Sequence, residues 1–256
     1  MRSRLLLAAV VLALAGCGGD GDEAASPAPP ATVATTTAAA TTTAAAAEPI
    51  PGCAPLCLAP HLARPGPVPA GEYASKYFFG GRLTAEVGPG WEVTEDSTGE
   101  LRFARSSDPE YGVLLWEDVY PIHQGERVEG VPQTEAGLLD WLRRSLDLDL
   151  TEPKQAAIGN VPATRVDATI SAEATNDDPG CPARLCVNPL RFPQWDGPWG
   201  MAGEAATRLV LADVRYGGAR HLFVAAVEGR SRADLAKRLP AAERLLRSVR
   251  VPVEPG

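Results

Sequence analysis

Thr207-Arg208-Leu209-Val210-Leu211-Ala212-Asp213-Val214-Arg215-Tyr216 and Ala219-Arg220-His221-Leu222-Phe223-Val224-Ala225-Ala226-Val227 flank the dipeptide Gly217-Gly218. Two glycines reach positive φ without cost, so they suit a two-residue turn, and the flanking runs read as a β-hairpin. Downstream, Ser231 with Asp234 has the spacing of a capping box and opens a helix. Leu235, Leu239, Leu245 and Leu246 face inward along it, with a kink or break expected at Pro240. Residues 248–253 suggest a final short strand.

Upstream, four short runs alternate or are apolar, at 82–87, 91–94, 101–104 and 113–116. Gly88-Pro89-Gly90, residues 96–99 and Asp108-Pro109 punctuate them, the pattern of an antiparallel meander. After Pro132 the period changes. Thr134 can cap a helix running to about Leu146, with Leu138, Leu139, Leu142 and Leu146 at helical spacing. Leu148 to Thr151 alternates again, and Ile158-Gly159-Asn160-Val161 turns into a strand over 163–172. The expected fold class is α+β: a largely antiparallel sheet with two main helices packed on it, residues 73–256.

The N-terminal third is of another kind. Arg2 and Arg4 precede an apolar run over 5–14 that ends in Leu14-Ala15-Gly16-Cys17. The run is too short to span a bilayer and has the three-part layout of a signal peptide, residues 1–16. The four residues at its end resemble a bacterial lipobox, which makes Cys17 the lipidated residue. Residues 17–50 are Ala-, Thr- and Pro-rich with almost no large apolar side chain, so they read as a disordered tether. Its r.m.s. span would be roughly 30 Å, and its composition suits an O-glycosylated stalk. Residues 51–72 form an irregular Cys/Pro-rich lead-in to the folded body.

The chain carries 24 basic and 32 acidic residues, a formal charge of −8. Phosphate binding needs a basic face, so nucleic acid is excluded as a partner. Besides Cys17 there are Cys53, Cys57, Cys181 and Cys186. Outside the cytoplasm an even number reads as two disulfides, with three connectivities open. Cys53–Cys57 and Cys181–Cys186 are favoured because each closes a small loop at once on export. A cross-link between the two pairs remains an alternative. Neither spacing is the CxxC of a thiol oxidoreductase or a zinc knuckle.

No catalytic constellation is legible. There is no G-x-S-x-G, S-x-x-K or H-E-x-x-H, and the three histidines, His61, His123 and His221, are far apart in sequence. His221 lies in an apolar strand and reads by default as a structural or surface imidazole. Glu117-Asp118, Asp147-Leu148-Asp149 and Asn176-Asp177-Asp178 lack the ligand spacing of a calcium loop and read as solvated strand-end or turn residues. Neither a metal nor a cofactor is expected. Trp195-Asp196-Gly197-Pro198-Trp199 remains: two indoles four apart with an acid between them could stack on a sugar or another apolar ligand. The competing reading is that both rings cover the core.

The order of parts resembles a group of actinobacterial lipoproteins, the LpqN-type neighbourhood with a PsbP-like α/β/α sandwich. The residues that carry the resemblance are Val87-Gly88-Pro89-Gly90-Trp91, Asp140-Trp141-Leu142, Ile158-Gly159-Asn160-Val161-Pro162-Ala163, the Cys181 to Cys186 loop and Ser248-Val249. The resemblance covers roughly residues 73–253. It implies a fold and an envelope location, and no catalytic residue. The functional expectation is a non-catalytic module of the cell envelope, held to the membrane through lipid on Cys17. Its partner would be an envelope protein, a glycan or a lipid. The alternatives are a hydrolase with dispersed carboxylates and an accessory or sensory subunit of a membrane complex.

Overall fold

The computed structural model describes residues 66–174, 186–193 and 198–253. In chain order the elements are β1 (Gly66–Val68), β2 (Gly71–Ala74), β3 (Thr84–Val87), β4 (Trp91–Asp96), β5 (Glu100–Arg105), β6 (Asp108–Glu117), β7 (Tyr120–His123) and β8 (Glu126–Arg127). Then follow α1 (Glu135–Arg144), β9 (Leu148–Leu150), β10 (Lys154–Ile158), β11 (Val161–Ile170), β12 (Cys186–Arg191), β13 (Pro198–Ala202), β14 (Ala206–Tyr216), β15 (Ala219–Gly229) and α2 (Arg232–Ser248).

The hairpin sits at the centre of a nine-stranded antiparallel sheet ordered β1-β4-β5-β6-β15-β14-β11-β10, with β9 also on β11. β14 and β15 pair without a slip from Ala206 opposite Gly229 to Tyr216 opposite Ala219. Gly217 and Gly218 take φ of 60° and 78°, the double positive φ of a type I′ turn. Both faces of the hairpin are apolar because both are covered. Phe223, Ala225 and Val227 join a core with Leu235, Ala242, Leu245 and Leu246 of α2. Leu222, Val224 and Ala226 join a second core with Leu138 and Leu142 of α1. The α+β expectation holds: two helices pack on opposite faces of an antiparallel sheet.

The face under α1 carries a second layer as well, a small sheet ordered β13-β12-β7-β8. Its Val187, Leu190, Trp199 and Met201 fill the same core as α1. On the other face the β2–β3 pair lies beside α2, with Phe78 and Phe79 of the intervening 3-10 turn fully buried.

Several local expectations shift. Thr134 caps α1 by accepting from the Gly137 N–H at 3.1 Å, yet the helix ends at Arg144, with Ser145 extended and Leu146 74% exposed. The Ser231 hydroxyl accepts from the Asp234 N–H at 3.3 Å, as expected, but α2 runs through Pro240 without a break. The turn expected at Asp108-Pro109 lies at Ser106-Ser107, and both residues instead begin β6. The expected last strand reduces to a single bridge between Thr84 and Arg250. Strand pairing already begins at Gly66, opposite Val93, inside the stretch expected to be irregular.

Candidate functional site

Where the small sheet stops short of the outer strands, a cleft of about 260 Å³ opens on the α1 face. Thr94 and Glu95 of β4, Ser97 and Gly99 of the following turn, Glu100 and Arg102 of β5, and Phe192 just after β12 line it. Side chains alternate along β5. Leu101 and Phe103 enter the α2 core, so Glu100 and Arg102 face the other way, into the layer that holds Trp116, Phe192 and Trp199. Charged residues therefore occupy inward positions. Such local violations of the apolar pattern concentrate at functional sites.

Behind the cleft, Glu228 is fully engaged. The Trp199 indole donates to its Oε1 at 3.1 Å, Arg102 Nη2 lies 3.4 Å from its Oε2, and the Gly112 N–H donates to it as well. Burial still pushes this carboxyl above the usual range. Arg102 Nη2 also donates to the Glu110 carbonyl at 2.7 Å. Glu100 is less well served. Burial pushes its carboxyl up to about 7, the Trp116 indole and Arg102 pull it down, and Glu95 and Glu228 push it up. It is thus poised between acid and carboxylate at neutral pH.

The neighbouring polar groups are also unfinished. Thr94 Oγ1 and Arg102 Nε are buried and close no hydrogen bond, while the Trp116 N–H points at the Glu100 carboxyl and favours its charged form. A buried donor without an acceptor costs on the order of 1–3 kcal/mol. Two such atoms beside one half-buried acid are groups that water or a polar ligand can satisfy.

Of the two rings expected as a stacking platform, the one among the described residues lies in the core. Trp199 is 5% exposed, packs edge-on against Trp116 at 5.3 Å, and presents its N–H to Glu228 instead of to solvent. Trp195 and Asp196 lie outside the described residues, as do Cys17, Cys53, Cys57 and Cys181. Cys186 is buried at the head of β12 and is not free. His221 and Glu117-Asp118, read as unremarkable in sequence, are brought together: His221 Nδ1 lies 2.9 Å from Asp118 and 3.0 Å from Glu117. Glu100, Arg102 and Glu228 carried no motif. Their only signal was charge on strands whose two faces both turn out to be covered.

No family model matches the chain, and no curated protein matches it in sequence. Two solved structures share a loose outline. One, from Bacteroides thetaiotaomicron VPI-5482, is 9% identical with a TM-score of 0.38 over 73% of this chain, which spans 50% of the other's length. The other is LpqN of Mycobacterium tuberculosis, a protein involved in cell envelope biogenesis. It is 11% identical, with a TM-score of 0.36 over 73% of this chain and 89% of its own. With TM-scores this low, neither likeness assigns a function. Among the described residues no helix is long and apolar enough to cross a membrane.

Proposed function

We propose that the chain is a lipid-anchored binding module of the cell envelope that takes one neutral, polar, ring-sized group, a sugar residue of an envelope glycan, into the Glu100 cleft. The observation that carries this reading is the pair of unsatisfied buried atoms, Thr94 Oγ1 and Arg102 Nε, beside a carboxyl raised to about 7. A polyol supplies both donors and acceptors, and so completes hydrogen bonds that the protein leaves open.

Size and charge narrow the guest. At about 260 Å³ the cleft lies below the roughly 300–1,000 Å³ of drug-sized pockets, which suits a single ring better than an acyl chain. Arg102 stands on the same wall as Glu95 and Glu100, which suits hydrogen bonding better than capture of a strong ion. Location rests on sequence: the leader, Cys17 and the Ala/Thr/Pro tether support an anchor outside the cytoplasm. The paired cysteines belong to the same proposal.

A hydrolase is the second reading. Glu95 and Glu100 share the cleft, and a carboxyl near 7 is the usual form of a general acid. Titration of isotopically labelled protein with mono- and disaccharides tests both. The binding module predicts saturable shifts at Thr94, Gly99 and Arg102 with the sugar unchanged. Loss of the sugar signal favours hydrolysis, and no shift at these residues removes both readings.

A further inference from the structure

On the opposite face of the main sheet, we propose that Glu117, Asp118 and His221 bind one divalent first-row transition-metal cation. Asp118 follows directly on β6, and His221 comes from the neighbouring β15, so the topology itself brings the three together. Glu117 and His221 lie on the α2 face with Phe223, away from Glu100. One atom from each residue, all within 4.8 Å of one another, gives an N/O₂ donor set. His221 Nδ1 stands 2.9 Å from Asp118 Oδ2 and 3.0 Å from Glu117 Oε1. Ligands at ~2.0–2.2 Å from an ion, at right angles, are spaced by about 3 Å.

The second layer around these atoms is what a metal site needs. Asp118 sits at φ +56° with its N–H on the Leu222 carbonyl at 2.9 Å. Its Oδ1 accepts from the Leu222 N–H at 3.1 Å, which leaves Oδ2 directed at the imidazole. The Phe79 N–H holds the Glu117 carboxylate. The Tyr216 carbonyl lies against the imidazole as a further acceptor. A carboxylate only accepts, so the imidazole Nδ1–H donates to Asp118 Oδ2 until an ion displaces that proton and takes the Nδ1 lone pair. Backbone groups that orient each ligand in this way tune metal affinity. No Lys or Arg among the described residues pairs with either carboxylate, so the imidazole alone meets their charge and an ion would take the place of its proton. The side chains are 13%, 38% and 19% exposed for Glu117, Asp118 and His221, which leaves an ion a way in. Imidazole with carboxylate favours zinc or manganese over calcium.

Calorimetric titration of the oxidised full chain with ZnCl₂ is the test, beside Glu117→Gln and His221→Gln. One equivalent should bind, with affinity reduced at least ~10-fold in each variant. Imidazole ¹⁵N spectra of the wild type provide a readout independent of variant folding: zinc should move the Nδ1 resonance of His221. Zinc that leaves this resonance in place, or binds the variants as tightly as the wild type, would overturn the assignment. So would a site that takes Ca²⁺ and ignores Zn²⁺ and Mn²⁺.

Discussion

The Trp199 indole nitrogen donates to Glu228 Oε1 across 3.1 Å, which ties the small sheet to the central hairpin. β13 carries the donor and β15 the acceptor, so one hydrogen bond crosses two layers. Trp199→Phe keeps most of the ring's bulk but leaves a buried carboxylate one donor short. The expected loss is about 2 kcal/mol in urea unfolding, since bonds to charged groups carry ~1.5–3. A Trp199→Phe protein as stable as wild type would mean that the bond contributes nothing.

Glu100 should cost stability at neutral pH. Its folded pKa is about 7 against 4.5 when unfolded, so between those values the folded state holds more protons and stability falls as pH rises. Glu100→Gln removes that slope. The variant should match wild type at pH 4 and exceed it by about 3 kcal/mol at pH 8, measured by thermal or urea unfolding. Parallel curves at all pH would show that the carboxyl is not perturbed.

Arg208 forks onto its cross-strand partner Asp167, with Nε 2.6 Å from Oδ1 and Nη2 2.9 Å from Oδ2. Its Nη1 reaches Glu243 of α2 at 2.8 Å. The side chain is 13% exposed, so this bridge between sheet and helix is poorly screened. Arg208→Ala should destabilise by about 2 kcal/mol, and Arg208→Lys should restore less than half, because an ammonium has no fork. Full rescue by lysine would reduce the cluster to simple charge.

Gly159 packs its α-carbon against the end of α2. A Cβ there would lie 1.5 Å from the Val249 carbonyl oxygen, and the residue holds φ +56°. Gly159→Ala should therefore destabilise by at least about 2 kcal/mol, through strain and clash together. Melting of the variant within 1–2 °C of wild type would show that α2 can move aside.

Much of this architecture was legible because its signals are local. Gly217-Gly218 between two long apolar runs permits little but a hairpin, and Thr134 and Ser231 announce their helices by side-chain chemistry. What failed was extrapolation. Helical spacing carried α1 two residues too far, to Leu146, because periodicity does not report that Ser145 turns extended. Pro240 breaks no helix because α2 is docked on either side of it: Arg238 pairs with Asp108 just before the proline, and the Gly159 N–H bonds the Leu246 carbonyl at 2.8 Å beyond it.

The cleft was illegible for a related reason. Arg102 alternates with Leu101 and Phe103 as a solvent-facing residue should, and only the small sheet, built from distant β7, β12 and β13, turns that face inward. The Glu117, Asp118 and His221 group likewise depends on strand register, 103 residues separating Asp118 from His221.

The central claim is that the Glu100 cleft binds a neutral sugar-like group through its ionisable carboxyl. The most direct measurement is saccharide affinity from pH 5.5 to 8.5, on wild type and Glu100→Gln. If ligand hydroxyls donate to the ionised carboxylate, affinity should rise through about pH 7 and then level off, and the variant should bind weakly at every pH. A flat profile, or a Glu100→Gln protein that binds as well as wild type, would contradict it.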